Sequence, residues 1–412
     1  MRKSRRDFLK LATAAAAAGV SSVLPLGCGG SRPVRTPANV RAAAPELHLM
    51  NGSRSLRAHA AARGLLVGCA VRSTLLDGQP QYATTVAEQA NIIVPEDALK
   101  WDALRPAPDR FDFRRADDIV VFALTHSQRV RGHTLCWHEA LPAWFSATVN
   151  QQNARQFLVQ HIQTVAGRYA GKLQSWDVVN EAIDPRSPRA DGLRDSPWLE
   201  LIGPDYIELA FRTTRQADPT ALLTYNDYGF ELDTAEQIEK RGEIMMLVRR
   251  LKARGVPIDA VGIQSHLQAW GQQPGAGIVS FVRSLAEIGL QVFITEMDVS
   301  DQQVPGLVPV RDKAVAQVYA DYLTMMLAEP NVTAVLTWGI TDRYTWLNSP
   351  QHLRADGKPL RPLPFGPDYD PTPAFFAERN AIDSRFAGKV VHQGDPYAPF
   401  RPVAPLPHIS HE

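Results

Sequence analysis

The architecture follows from a pattern that one segment shows clearly, Ser175-Trp176-Asp177-Val178-Val179-Asn180-Glu181. A short, mainly apolar run ends in an amide and a carboxylate. Such a run is typical of a parallel strand that is buried on both faces. A carboxylate at its end is costly unless a partner holds it ionised or its chemistry needs it protonated. Glu181 is therefore a candidate functional residue.

The same pattern recurs along the chain. Comparable runs occupy residues 65–69, 91–94, 130–134, 175–179, 221–225, 260–264, 291–295 and 334–338. Segments with helical spacing separate several of them, namely 153–170, 234–254, 278–288 and 311–327. Eight strands that alternate with helices predict an α/β protein with a single (β/α)8 TIM barrel.

A doubly wound open sheet is the competing architecture. It usually carries a Gly-rich phosphate loop after an early strand, and this sequence has none. A barrel also requires functional residues at the carboxyl ends of its strands. That condition is met, because polar and aromatic residues follow the runs at Glu96, His133, Glu181, Asn226, His266, Glu296 and Trp338.

Glu181 and Glu296 carry the chemical prediction. A retaining glycosidase needs one carboxylate as nucleophile and a second as acid/base catalyst, about 5–5.5 Å apart. Asn180 is placed to bind a sugar hydroxyl, and His266 to donate to Glu296 while Asp298 orients the imidazole. Each residue alone is weak support, since a strand-end Glu is commonly a helix cap or a salt-bridge partner.

Three tryptophans stand apart from those expected in the core. Trp137, Trp338 and Trp346 each lie at or just beyond a strand end, next to polar residues. An aromatic face with polar neighbours suits a sugar ring, which has apolar C–H faces and equatorial hydroxyls.

From about Arg57 to Arg385 the chain resembles the family 10 glycoside hydrolases, which are barrel-fold endo-β-1,4-xylanases. The matching segments occur in order along the barrel. They are Glu96–Trp101 (EDALKW), Arg131–His138 (RGHTLCWH), Trp176–Glu181 (WDVVNE), Tyr225–Tyr228 (YNDY), Gln264–His266 (QSH), Ile294–Val299 (ITEMDV), Thr337–Gly339 (TWG) and the region of Trp346.

The resemblance implies a role for each matching residue. Glu181 would be the acid/base catalyst and Glu296 the nucleophile, while Asn180 would contact the 2-hydroxyl of the sugar at the cleavage site. Gln264 and His266 would hold the nucleophile and nearby hydroxyls, and Tyr228 would lie toward the leaving group. The glycone sugars would be bound by Glu96, Asp97, Lys100, His133 and Trp137, with Trp338 and Trp346 as walls.

Two positions depart from the family pattern. Asp97 stands where Asn is usual, so the side chain keeps its acceptor oxygens but loses an amide donor. We expect the second glycone sugar to be bound more weakly or in an altered way, with catalysis intact. Glu139-Ala140 replaces a common Ser-Gln, and the sequence assigns it no consequence.

The function implied is hydrolysis of internal β-1,4-xylosidic bonds of xylan with net retention, with no metal and no organic cofactor. Three alternatives remain at this point. One is a β-1,4-glucanase or mixed-linkage glucanase of the same fold, and another is a carbohydrate-binding relative without activity. An aldolase-like barrel is disfavoured because no lysine is placed at a strand end as a Schiff-base nucleophile.

The charge distribution separates the N-terminus from the rest. The whole chain has 44 basic and 43 acidic residues, a net +1 that does not favour nucleic acid as a partner. Residues 1–28 hold five of the basic residues and one acidic residue. The remainder, with 39 basic against 42 acidic residues, is mildly acidic at −3.

That N-terminus resembles a twin-arginine export signal. Arg5-Arg6 precedes a weakly hydrophobic, Ala-rich stretch that is shorter than the roughly 20 residues a membrane anchor needs. Export to the periplasm or the medium is therefore expected. Leu26-Gly27-Cys28 resembles a lipoprotein processing site, but Pro25 replaces the usual aliphatic residue, so a lipid anchor on Cys28 stays open.

The predicted organisation has four segments. These are a signal over residues 1–28, a Gly/Pro/Ala-rich linker over 29–46, the catalytic barrel over 47–387 and a Pro-rich extension over 388–412. The expected partner is xylan or a xylo-oligosaccharide, and the protein is expected to be a monomer.

Overall fold

The structure is a computed structural model that describes residues 50–385. The predicted export signal, Cys28, the linker over 29–46 and the extension over 388–412 lie outside the described residues.

Nine parallel strands form the sheet of the described region. Eight of them close into a barrel in the order β1-β2-β3-β4-β5-β6-β8-β9, with β9 pairing back to β1. The ninth, β7, pairs only with the outer end of β8. Their bounds are β1 Leu66–Val71, β2 Ile92–Pro95, β3 Arg129–Cys136, β4 Ser175–Asn180, β5 Leu222–Asp227, β6 Ala260–Ile263, β7 His266–Gln268, β8 Gln291–Ser300 and β9 Val332–Thr337.

Helices surround the barrel. They are α1 Leu56–Ala61, α2 Ser73–Gly78, α3 Pro80–Gln89, α4 Trp101–Leu104, α5 Arg114–Thr125, α6 Phe145–Thr148, α7 Ala154–Arg168, α8 Pro197–Ile202, α9 Tyr206–Ala217, α10 Ala235–Ala253, α11 Ala276–Glu287, α12 Val308–Leu327 and α13 Pro373–Ser384. Short 3-10 helices cover Gly52–Arg54, Asp342–Tyr344, Trp346–Asn348 and Pro350–His352.

The boundaries of α10 show how local sequence sets an element. The Thr234 side chain accepts a hydrogen bond from the backbone N–H of Gln237, which satisfies a donor that the first helical turn leaves open. At the other end Gly255 has φ +63°, a conformation that glycine adopts without steric cost. The helix therefore starts and stops where the sequence predicted.

The predicted (β/α)8 barrel is confirmed, and each predicted run overlaps one barrel strand. The largest difference is β8, which was predicted to end at Thr295 but continues to Ser300. This continuation pairs with β7, in the register His266↔Asp298 and Gln268↔Ser300. β7 is three residues long and was not predicted.

The core has two layers. Most buried apolar residues lie between the strands and the helices, in one continuous cluster. A smaller cluster contains alternate residues of several strands, such as Leu66 and Ala70 on β1 and Ile92 and Val94 on β2, and so fills the barrel interior. On β3 and β4 the interior is polar instead, because Arg131 and Asp177 form a buried ion pair.

Charged pairs fasten the segment that follows β9. Arg311 on α12 donates to Asp301 at 2.5 Å, Arg354 donates to the Asp301 carbonyl, and Arg361 is paired with Asp312 at 2.6 Å. These contacts hold the segment that carries Trp346 against the barrel. Within residues 50–385, no helix is long and apolar enough to cross a membrane.

Candidate active site

The carboxyl ends of the strands enclose a cleft of about 500 Å³. Every predicted site residue lines it except Asp97 and Asp298, and one residue with no predicted role, Glu139, joins them. The lining is Glu96, Lys100, His133, Trp137, Glu139, Asn180, Glu181, Tyr228, Gln264, His266, Glu296, Trp338 and Trp346.

Glu181 follows β4 directly and takes an unusual backbone conformation, with φ +57°. Such angles are uncommon for residues other than glycine and concentrate at functional sites. The carboxylate is 8% exposed and receives neutral donors only. Trp137 Nε1 donates to Oε2 at 2.8 Å, Gln264 Nε2 to Oε1 at 2.9 Å and Asn180 Nδ2 to Oε1 at 3.1 Å.

These surroundings favour the protonated form of Glu181. Burial raises the pKa of its carboxyl, and the negative charges of Asp227 and Glu296 raise it further. The hydrogen bonds from Gln264 and Trp137 act in the opposite direction but leave the pKa above its ordinary value. A carboxyl that stays protonated near neutral pH can act as a general acid.

Glu296 lies on β8 among stronger donors. Asn226 Nδ2 donates to Oε1 at 2.8 Å, His266 Nε2 lies 3.5 Å from Oε2, and His133 Nδ1 lies 4.0 Å from Oε1. Asp298 accepts from His266 Nδ1 at 3.0 Å and thereby orients the imidazole. A second Asp298 oxygen accepts from Trp346 Nε1 at 2.7 Å.

The pKa of Glu296 is shifted in the opposite direction to that of Glu181. Burial alone would raise its pKa, but the hydrogen bond from His266, the attraction of His133 and His266 and the hydrogen bond from Asn226 outweigh burial, so the pKa is lowered. Burial likewise opposes the charge on His266, yet Asp298 and Glu296 raise the pKa of that imidazole well above its ordinary value. The result is an ionised carboxylate beside a protonated imidazole.

Asn226, at the end of β5, connects the two carboxylates; the sequence placed it at a strand end but assigned it no role. Its Nδ2 donates to Asn180 Oδ1 at 2.9 Å as well as to Glu296 Oε1, and its Oδ1 accepts from Thr295. Gly262 makes room for this amide, because a Cβ there would lie 2.2 Å from Asn226 Oδ1. The strand-end position of Asn226, in register with Asn180, was the signal in the sequence.

The β2 side of the cleft combines charge with aromatic faces. Arg72 holds Glu96 through two hydrogen bonds, of 2.8 and 2.5 Å. Lys100 Nζ lies 5.2 Å from the ring centre of Trp137 and 5.8 Å from that of Trp338. Arg72 was not predicted as a site residue, because it follows β1 whereas its partner Glu96 follows β2, and the sequence alone does not show that the two meet.

His133 is supported from below by the polar barrel interior. Its Nδ1 lies 2.9 Å from Asp177 Oδ2, and the other Asp177 oxygen is paired with Arg131. The imidazole also packs edge-on against Trp338, with ring centres 5.3 Å apart. The ion pair thus fixes the ring that faces Glu296.

Two basic residues, Arg194 and Lys240, lie behind Glu181 and contact Tyr228. Arg194 Nε donates to the Glu181 carbonyl at 2.8 Å and its Nη2 lies 3.4 Å from the Tyr228 hydroxyl. Lys240 Nζ donates to Asp227 at 2.8 Å and lies 4.4 Å from the centre of the Tyr228 ring. Both basic residues therefore fix Tyr228 at the edge of the cleft.

Three acidic residues differ in their relation to the cleft. Asp97 is 61% exposed and 3.5 Å from Lys100, outside the lining. Asp298 is buried behind His266 and Trp346. Glu139 lines the cleft with a side chain that is 65% exposed, 3.7 Å from His138.

Metal ligands are absent from the described part of the chain: residues 50–385 contain no group of three or more His, Cys, Asp or Glu side chains placed to hold an ion. The chemistry available at this site is that of two carboxylates with opposite protonation preferences, in a cleft walled by indole rings. Such a pair can cleave an acetal by acid and nucleophilic catalysis.

Comparison with known proteins gives consistent results. The family model described as Glycosyl hydrolase family 10 matches residues 55–381. Endo-1,4-beta-xylanase B of Thermotoga neapolitana is 35% identical over 309 residues, which cover 74% of this chain and 84% of the relative.

Solved structures agree with that comparison. The crystal structure of native xylanase 10B from Thermotoga maritima superposes with a TM-score of 0.73 at 33% identity, covering 80% of this chain and 98% of the other. Xylanase 10B from Thermotoga petrophila RKU-1, in complex with xylobiose, matches with the same TM-score and identity, covering 80% and 97%.

Proposed function

Because the chain belongs to glycosyl hydrolase family 10 and is a retaining endo-1,4-β-xylanase, we propose that Glu296 is its nucleophile and Glu181 its acid/base catalyst. The observation that carries the assignment is the difference between their donors. Glu181 receives three neutral donors, whereas Glu296 lies beside two imidazoles and an amide.

The first step forms a covalent intermediate. Glu296 attacks the anomeric carbon of the sugar while Glu181 transfers its proton to the departing glycosidic oxygen. The glycosidic C–O bond breaks, an ester bond to Glu296 forms, and the leaving xylan segment departs as an alcohol. Lys100, His133 and Trp137 line the cleft beside these groups and would bind the glycone sugars in the required orientation.

In the second step water hydrolyses the covalent intermediate, and Glu181 acts as a base instead of an acid. Glu181, now ionised, takes a proton from water as the water oxygen attacks the anomeric carbon and the Glu296 ester bond breaks. The ionised Glu181 is compatible with its three hydrogen-bond donors, of which Gln264 and Trp137 lower the pKa of its carboxyl. Two inversions restore the original configuration.

The remaining predicted residues are proposed to bind sugar. Glu96, Lys100, His133 and Trp137 would bind the glycone sugars, with Trp338 and Trp346 as walls, while Asn180 would contact the 2-hydroxyl at the cleavage site. Gln264 was expected to hold the nucleophile, but its Nε2 donates to Glu181 Oε1, so we assign it to the acid/base catalyst. His266 would hold the nucleophile Glu296, and Tyr228 would lie toward the leaving group. Asp97 would contact the second glycone sugar from the rim, as its exposure allows only a weak interaction.

The decisive experiment compares Glu296→Ala with the wild type on glucuronoxylan and arabinoxylan. We expect kcat to fall by several orders of magnitude with an unchanged Tm, and NMR of the wild-type reaction to show the β-anomer first. Glu236→Gln, an exposed carboxylate on α10, is a matched control that should keep full activity. Near-normal activity of Glu296→Ala, or initial release of the α-anomer, would rule out the assignment.

The same assays address the glucanase alternative. Hydrolysis of carboxymethylcellulose at a rate comparable with xylan would restore it, whereas we expect xylan to be strongly preferred. Relatives named as xylanases already disfavour it.

Export is a separate part of the proposal and depends on residues 1–28. We propose that the protein is exported through the twin-arginine route and is a monomer. The experiments below also test whether Cys28 carries a lipid. Replacing Arg5-Arg6 by two lysines should retain the protein in the cytoplasm. Mass spectrometry of the exported wild type would separate lipidated Cys28 from simple cleavage, and light scattering would give the oligomeric state.

A further inference from the structure

Glu139 lines the catalytic cleft, although the sequence assigned it no role. It stands two residues after Trp137, whose indole N–H donates to the carboxyl of Glu181. Its side chain is 65% exposed, so the carboxylate meets the solvent of the cleft. An exposed carboxylate is ionised at neutral pH. Glu139 therefore adds a negative charge to the wall along which a polysaccharide passes.

The backbone on both sides of Glu139 is held by hydrogen bonds from two helices. Trp198 Nε1, on α8, donates to the Trp137 carbonyl at 2.8 Å. The backbone N–H of Asp102, on α4, donates to the Ala140 carbonyl at 2.9 Å. The segment that carries the carboxylate is therefore fixed beside the cleft.

The charge on Glu139 is not neutralised by the imidazole next to it. His138 Nε2 lies 3.7 Å from Glu139 Oε1, which is longer than a hydrogen bond. Burial and, to a smaller extent, the positive charge of Arg194 lower the pKa of His138 to about 4. At neutral pH the imidazole is therefore uncharged, and the contact is not an ion pair.

The other carboxylates of the lining are either compensated or uncharged. A guanidinium pairs with Glu96, and the protonated imidazole of His266 lies beside Glu296. Burial favours the protonated form of Glu181. Within residues 50–385, Glu139 is thus the lining carboxylate that is ionised at neutral pH without a cationic partner in ion-pair distance.

We propose that Glu139 is a specificity-determining residue, whose charge disfavours xylan segments that carry uronic-acid groups in the cleft. The xylan backbone is neutral, whereas a uronic-acid side group carries a carboxylate at neutral pH. Two like charges about 4 to 8 Å apart in water repel enough to change kcat/KM about 2- to 6-fold. The inference rests on the proposed function, which places the xylan chain between Glu181 and Glu296.

The test compares glucuronoxylan with the same polymer after its uronic carboxyls have been reduced to alcohols. Reduction removes the negative charges and leaves the backbone and its branch points in place. At low ionic strength the wild type should cleave the reduced polymer with the higher kcat/KM. Glu139→Gln keeps the shape of the side chain without its charge, so it should lower this preference about 2- to 6-fold, through a rise on the native polymer. Salt at about 1 M should weaken the wild-type preference in the same way, because it screens exposed charges.

Glu236→Gln is the matched control. Glu236 is 63% exposed and lies outside the cleft lining, so its loss changes the net charge equally without changing the cleft. This variant should keep the wild-type preference. An equal change in Glu236→Gln and Glu139→Gln would overturn the proposal, and so would an unchanged preference in Glu139→Gln. An equal fall of kcat/KM on both polymers in Glu139→Gln would also overturn it, since Glu139 would then bind the neutral backbone. A wrong assignment of the catalytic glutamates would appear differently, as activity retained in Glu296→Ala on both polymers.

Discussion

The charge on His266 should set the acid limb of the pH–activity profile. Its Nε2 lies 3.5 Å from Glu296 Oε2, and Asp298 helps to keep the imidazole protonated by raising its pKa well above the ordinary value. Glu296 must be ionised to attack, so the acid limb of kcat/KM reports the pKa of Glu296 in the free enzyme. His266→Gln keeps a neutral donor but removes the positive charge.

The size of the shift follows from the distance. At an effective dielectric constant of about 20, unit charges 3.5 Å apart attract by roughly 5 kcal/mol. His266 is partly exposed and Asp298 offsets its charge, so less than half of this should remain. At about 1.4 kcal/mol per pH unit, the pKa of Glu296 should rise by roughly 1 to 2 units.

The acid limb should move to higher pH in His266→Gln. Loss of a neighbouring cation makes ionisation of Glu296 harder, so the acid limb moves to higher pH and the profile narrows from its acid side. The assay is kcat/KM for xylotetraose between pH 3 and 9. His59→Gln, which removes a surface histidine paired with Asp383, is the matched control and should leave the limb in place. An acid limb that does not move in His266→Gln would refute this account of Glu296.

Three further predictions concern other residues. Trp137→Phe removes the donor at 2.8 Å from Glu181 Oε2, so the pKa of Glu181 should rise and the basic limb of the same profile should move up by about 1 unit. Asp97→Asn should lower KM for xylotetraose about two- to fourfold, with kcat unchanged, because it restores an amide donor at an exposed position; an unchanged affinity would contradict the role of Asp97. Glu378 on α13 is fully buried and burial raises its pKa to about 8, so folding keeps a proton that the unfolded chain releases above about pH 4.5, and stability falls as pH rises from there to about 8. Glu378→Gln should therefore raise Tm by a few degrees or more at pH 7.5 and change it little at pH 4, and equal shifts at both values would contradict this.

The barrel could be predicted because its information is local. Each strand is a short apolar run with a polar end, and each is buried on both faces, so the pattern needs no knowledge of neighbours. β7 could not be found in this way. It is three residues long, and within residues 50–385 it pairs only with the end of β8, more than 30 residues away in sequence.

The site residues likewise divide into those that one segment reveals and those whose role depends on distant partners. Glu181, Glu296 and His266 could be proposed because a polar residue at the end of a buried strand is visible in one segment. Asn226 was visible at a strand end, but its function depends on two partners, Asn180 and Glu296, that are 46 and 70 residues distant in sequence. Arg72 was missed for the same reason, since its contact with Glu96 joins two segments.

The structure also explains how the two glutamates of the cleft differ in protonation. A chain of amides connects them, because Asn180 donates to Glu181 and accepts from Asn226, which donates to Glu296. Amides do not titrate, so this chain holds the two carboxylates in register but cannot equalise their charge. The difference must come from the other side of each group, where Glu181 meets an indole and an amide and Glu296 meets two imidazoles. Neutralising His266 should therefore shift Glu296 far more than Glu181, which separates an effect of local charge from a general loosening of the site.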